Sequence, residues 1–229
     1  MAKSTFLQLC SVAAQECGVT NTDLPSVISQ VGILGQFVRW VAQADVETQG
    51  RWNDWDFLHV ATWTSPTVIG APDIAAPADI GVWDEDSFYL DASTAGYKKL
   101  TPLGYLQWRD TMRNGVKTNQ KPSFCVVMPD QSLKLEAPPD AIYTLSADYW
   151  KRPAKMTIDS STSPIPEEYE RVIVARAKLY YAEFDAANEI LAGASVEYDD
   201  LLDKLEAKYL PSQRNRRKSE GDTITVTPV

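Results

Sequence analysis

The sequence is poor in the residues that most chemistry needs. It contains one histidine, His59, and three cysteines, Cys10, Cys17 and Cys125, in 229 residues. No CxxC and no Cys/His pairing occurs, which argues against zinc, and three thiols are too few for a disulfide framework. They read as buried free thiols of a reducing compartment. No apolar run approaches the ~18 residues of a membrane span. Gln8, Gln15 and Glu16 interrupt the first apolar stretch, so no signal peptide is expected and the chain reads as made in the cytoplasm. There is no phosphate loop, no G-x-G-x-x-G and no G-x-S-x-G elbow, which removes support for nucleotide binding and for a serine hydrolase. Basic residues are outnumbered: 22 Lys and Arg against 31 Asp and Glu give a formal charge of −9. Affinity for phosphates comes from basic groups, so a surface of this sign would repel a nucleic acid rather than clamp it.

What is present falls into two kinds of segment. Helical, aromatic-rich stretches occupy residues 30–58 and 166–211, and the middle alternates in short runs broken by prolines. A first helix is expected over 5–17, capped by Ser4 or Thr5, with Phe6, Leu9, Cys10, Ala13 and Cys17 on one stripe and Gly18 as its stop. A second runs from about Gly32 to Arg51, with Leu34, Phe37, Val38, Val41, Ala44 and Thr48 at three- and four-residue spacing. It leads into Trp52, Trp55, Phe57 and Leu58, rings too large to be left in water. Pro166 followed by Glu167 and Glu168 marks a helix start. Tyr169, Val172, Ile173, Arg176, Ala177, Tyr180 and Phe184 then form one face, and Ala194, Tyr198, Leu201, Leu202, Leu205 and Tyr209 another. The spacing allows one long helix or two joined near 187–193, ended by Pro211.

In the middle, Ser87–Leu90 reads as a strand and Tyr105–Arg113 as a short helix. Phe124–Met128, a turn at Pro129-Asp130-Gln131 and Leu133–Glu136 read as a hairpin. Tyr143, Leu145, Ala147 and Tyr149 alternate with polar residues as the clearest strand. The expected fold is therefore α+β: an antiparallel helical bundle of the N- and C-terminal helices (1–58 and 165–211), an inserted antiparallel β-rich module (59–164), and an extended C-terminal arm (212–229).

Candidate chemistry is sparse. Acids cluster at Asp54 and Asp56, at Asp84, Glu85 and Asp86, and at Asp199 and Asp200. Asp54 and Asp84 are the pair a glycan hydrolase would use, but adjacency in sequence does not set two carboxyls across a bond. His59 lacks the partners of a catalytic triad. No catalytic, metal or cofactor residue is assigned, no cofactor is expected, and the chain reads as a non-enzyme. Seven tryptophans raise a carbohydrate-binding alternative. The one functional charge run is Arg214, Arg216, Arg217 and Lys218, followed by a β-prone stretch with Ile224 and Val226. Such an arm can order on a partner by ion pairing or by adding a strand to its sheet.

Leu34–Glu47 running into Trp52-Asn53-Asp54-Trp55-Asp56-Phe57-Leu58, the stretch Leu135–Tyr143 followed by Tyr149-Trp150, and Tyr198, Leu202, Leu205 and Tyr209-Leu210-Pro211 carry a resemblance. In layout and spaced aromatics the chain resembles the head-to-tail adaptor (neck, connector) proteins of tailed bacteriophages over roughly residues 5–211. The resemblance implies a structural virion protein of the neck, forming a ring, expected to be of twelve copies, below the portal. Its implied partners are the portal protein, neighbouring copies, a downstream neck or tail protein, and genomic DNA passing through the lumen without sequence-specific binding, with no membrane. It implies that the C-terminal arm, with Arg214, Arg216, Arg217, Lys218, Ile224 and Val226, reaches the portal. The size of the β module departs from the smaller adaptors, which are nearly all helical. The alternative is a tail-associated glycan-binding or glycan-hydrolysing protein.

Overall fold

A computed structural model describes residues 3–92, 96–115 and 117–210. The fold is α+β, with five α-helices and largely antiparallel sheets among the described residues. Two compact units divide the chain: residues 1–57 with 153–229, and residues 58–152. The arm residues Arg214, Arg216, Arg217, Lys218, Ile224 and Val226 lie outside the described residues.

In the helical unit, α1 (Phe6–Glu16) starts at Thr5, whose hydroxyl accepts from the Gln8 amide while the Gln8 side chain accepts from the Thr5 amide. That reciprocal box satisfies two amides the first turn leaves without partners. Helix α2 (Gly32–Gly50) buries Phe37, Val41, Ala44 and Thr48, but Leu34 and Val38 are only half-buried, and Asp45 and Gln49 join the buried side. After Pro166 the chain first makes a 3-10 turn (Glu167–Tyr169), and α4 (Arg171–Asp185) begins later than the proline signal suggests. The choice between one helix and two is resolved by Ala186, in the left-handed region at φ 52°, which ends α4 before α5 (Asn188–Tyr209). Helix α4 packs against α1, α2 and α5, so Val172, Ile173, Val174 and Ala175 are all buried in succession. A helix enclosed on several sides has no single stripe, and Phe184, expected on the inner face, is 64% exposed.

Residues 153–164, grouped by the sequence reading with the β module, belong to this unit. Thr162 bridges Thr5, and the Phe6 amide donates to the Ser161 carbonyl at 2.7 Å. Trp55 is fully buried and stacks on Phe57 at 5.0 Å between centroids, and Phe57 meets the edge of Tyr209.

The β unit contains two sheets. In the first, β9 (Thr144–Lys151) is central: β1 (His59–Pro66) pairs along one side, while β4 (Tyr89–Ala92) and β3 (Ile80–Trp83) share the other. β5 (Gly96–Lys99) extends β4. The second has the order β2 (Asp73–Ile74), β8 (Leu133–Leu135), β7 (Phe124–Val127), β6 (Thr101–Leu103). β7 and β8 form the expected hairpin around 129–131. The module is not wholly antiparallel, because β6 runs parallel to β7, joined through α3 (Tyr105–Thr111). The strand expected at Ser87–Leu90 is displaced: 85–87 is a 3-10 turn and pairing begins at Tyr89. Leu145, Ala147 and Tyr149 point inward with Trp83, Phe88, Leu90, Cys125, Leu133 and Leu135 to form one core. The indole of Trp83 donates to the Gln131 carbonyl at 2.8 Å, so this large ring is buried without an orphan N–H.

Candidate functional site

Three polar constellations stand out, and none follows from local sequence. The first sits under the start of the helical unit. Asp45 of α2 is fully buried and accepts from the Ser163 hydroxyl at 2.6 Å through Oδ1, while its Oδ2 has no partner. Glu170, at the start of α4 and also buried, accepts from the Ser4 amide at 2.9 Å through Oε2, with Oε1 unpaired. Lys3 closes the group by donating to the Ser163 carbonyl at 2.6 Å. Burial pushes the Asp45 carboxyl up to about 6; the Ser163 bond, the neighbouring Gln49 amide and Lys3 oppose the rise and Glu170 adds to it. Residues 3–5 are thereby fastened to 161–163 and to α4 by hydrogen bonds between segments far apart in sequence.

The second is an ion network over the α1, α4 and α5 seam. Arg171 contacts Glu16 and Glu197, and Lys178 contacts the same two carboxylates at 3.0 and 2.9 Å. Arg176 pairs with Glu47 of α2 at 3.1 Å. Burial alone would raise Glu197, but bonds from Arg171 and Lys178 hold it below the usual carboxylate range. Two cations shared by two acids restrict all four side chains at once, which is the arrangement in which partly exposed pairs contribute most.

The third gathers His59 of β1 with Asp84 and Asp148 in the β unit, their ligand atoms all within 4.8 Å of one another. Asp148 Oδ1 accepts from the Thr62 amide at 2.7 Å at the bulge in β1, and the imidazole packs on Trp150 at 5.1 Å. His59 Nε2 lies 3.9 Å from Asp148 Oδ2, too long for a hydrogen bond. This set has the residue types of a divalent-cation site. It does not have the wiring of a nucleophile: the nearby Ser87 hydroxyl donates to the Asp84 carbonyl at 2.6 Å, not to the imidazole. Asp54 and Asp84, the acids weighed for hydrolysis, lie in different units.

The thiols are in the interior, as anticipated for structural cysteines. Burial pushes Cys10 and Cys125 up to about 12 and Cys17 to about 11, so none is a nucleophile near neutrality. Trp52 is the most exposed of the tryptophans at 38%, and its indole donates to Glu206 at 3.0 Å. A stacking platform of several wet rings is therefore not formed by the tryptophans. Sequence reasoning missed Asp45, Glu170 and the grouping around His59; the one available signal was an acid adjoining the apolar stripe of α2.

A family profile described as SU10 adaptor protein matches residues 4–224. No curated protein matches the chain.

Proposed function

The chain belongs to the SU10 adaptor protein family, a family of phage head-to-tail adaptors, and from that premise we propose that it forms a ring below the portal. The ring is of twelve copies, connects the capsid to the tail and continues the channel through which genomic DNA leaves the head. The protein is a structural component of the virion neck, without enzyme activity, made in the host cytoplasm. Its partners are the portal, neighbouring copies, and a downstream neck or tail protein; DNA passes without sequence-specific contact.

The observation that carries this reading is the extent of the family match, which runs through both the helical and the β unit. The negative formal charge supports a conduit that does not retain DNA. Antiparallel bundling of the helices and an extended arm belong to the same proposal: Arg214, Arg216, Arg217 and Lys218 pair with acids of the portal, and Ile224 and Val226 add a strand to it. The inward-turned tryptophans weigh against the glycan-binding alternative.

Mixing the purified protein with portal and imaging the product by electron microscopy tests the ring. A ring at the narrow end of the portal is the expected result, and its absence there overturns the proposal. For the arm, a chain ending at Pro211 is expected to lose most of its portal affinity; undiminished binding removes the arm's role.

A further inference from the structure

Within this acidic protein the C-terminal arm is not alone in carrying the opposite sign. Residues 98–121 carry Lys98, Lys99, Arg109, Arg113, Lys117 and Lys121 against a single acid, Asp110. The fold gathers part of it around Trp108. A cleft of about 510 Å³ is lined by Tyr105, Trp108, Arg113, Lys117, Met128 and Lys134 among others. The amines of Lys117 and Lys134 stand 5.6 and 5.7 Å from the centroid of the same indole ring. Two ammonium groups over one ring repel each other; Lys117 is held below its usual range by partial burial and by Lys134. Lys134 is paired with Asp73, whereas among the described residues neither Arg113 nor Lys117 has an ion-pair partner. Trp108 is 5% exposed, and its buried N–H has no acceptor. An entering carboxylate would relieve the repulsion between the two ammonium groups.

The helical unit has the complementary feature. Where Ala186 ends α4, Phe184 projects 64% exposed. Glu183, Asp185 and Glu189 surround it in sequence and are all exposed. Asp185 accepts from the Tyr181 hydroxyl at 3.0 Å, and Glu183 and Glu189 have no ion pair among the described residues. An exposed aromatic ring flanked by carboxylates is the shape and charge that an aromatic cleft lined by cations accommodates.

We propose that Phe184 and its flanking carboxylates on one copy dock into the Trp108 cleft of the next copy. The occupant is a second copy because both halves of the complementary pair occur on this chain and both are open in it. A contact between two different patches is heterologous and closes into a ring when the rotation permits. The inference deepens the ring reading above, on which it rests, by giving the ring its repeating contact.

Full-length chains carrying Glu183→Cys or Arg113→Cys test it, since the native thiols are buried and slow to react. In complexes assembled on portal, a short thiol–thiol cross-linker is expected to give dimers when the two variants are mixed, none with either alone, and a ladder with the double variant. Reversal by Arg113→Glu with Lys117→Glu is expected to weaken association by about tenfold or more, and adding Glu183→Lys with Glu189→Lys to recover most of it. A ring without the cross-link overturns the contact and leaves the ring reading intact. The mixed cross-link in open or dimeric species supports the contact and overturns the ring. Cross-linking of Arg113→Cys to another virion protein instead of to Glu183→Cys assigns the cleft elsewhere and overturns the second-copy occupant.

Discussion

The helical and β units handle polar groups in opposite ways. In the helical unit charge is part of the packing: Arg171, Arg176 and Lys178 join four helices, and Asp45 and Glu170 are enclosed with one oxygen each left unpaired. In the β unit twelve buried hydrophobic side chains form one cluster between the sheets, and most ion pairs lie in solvent, such as Lys99 with Asp86 and Arg109 with Asp110. Aromatic rings supply much of the apolar area there, and the core needs no charge to close. The lesson is that the two units should respond differently to truncation and to pH. A large-to-small change should hurt the β unit most, whereas protons should act chiefly on the helical unit.

The largest effect is expected from Trp83→Ala. The ring is 3% exposed, touches Trp63, Phe88 and Tyr149, and donates to Gln131. Truncating a buried tryptophan costs about 3–5 kcal/mol through lost burial and the cavity that remains. Hydrogen exchange should report the loss in 80–83, 124–135 and 144–151. If protection fell equally in α1 and α4, the distinction between the units would break. Phe37→Ala, which removes a ring wedged among Trp40, Tyr181 and the α2 core, is the matching perturbation of the helical unit.

Asp45→Asn sharpens the comparison from the polar side. A carboxyl raised from about 3.8 to about 6 binds its proton more tightly in the folded chain than in the unfolded one. Its contribution is therefore most favourable below the unfolded value and is lost as pH rises through 4 to 6, leaving a cost of roughly 2–3 kcal/mol above. The amide has the same shape, keeps the Ser163 bond and does not ionise. Urea titrations should show the variant gaining stability over the parent between pH 4 and 7 and then holding a constant lead. A parallel pair of pH curves would refute the role given to burial. Glu197, whose folded value is depressed, works in the other direction: its stabilisation is present above the unfolded value and is lost as pH falls through the folded one.

How much of this was legible beforehand follows the same division. Helices announce themselves locally. Thr5, one of the two expected caps, begins α1, and Phe37, Val41, Ala44 and Thr48 lie inward as their spacing requires. The reading failed on Phe184, because enclosure of α4 by three helices depends on contacts that no single helix encodes. In the β unit β9, the β7–β8 hairpin and the short helix α3 are legible. β1 is eight residues long but carries no clear strand signal, since its bulge between Val60 and Trp63 disrupts the alternation that betrays a strand. The parallel pairing of Thr101–Leu103 with Phe124–Val127 includes Pro102 and spans a helix, and nothing local specifies it. The candidate sites failed for the same reason: His59, Asp84 and Asp148 come from distant parts of the β unit, and Asp45, Ser163 and Glu170 from two ends of the chain.

The smallest effect, Arg171→Ala, tests whether charge in the helical unit acts as a network. Arg171 is 42% exposed and Glu16 and Glu197 are each 28% exposed, so solvent screening discounts each bond, and a loss of about 1 kcal/mol is expected. Lys178 contacts the same two acids and is only 14% exposed. With Arg171 gone it inherits both carboxylates, which keeps the loss small. Lys178→Ala should behave alike, but the double variant strands Glu16 and Glu197 together and should cost more than the two single losses combined. A double-mutant cycle by urea denaturation at low and high salt decides the matter. Strict additivity would show independent surface pairs and leave the helical unit held, like the β unit, by its apolar core.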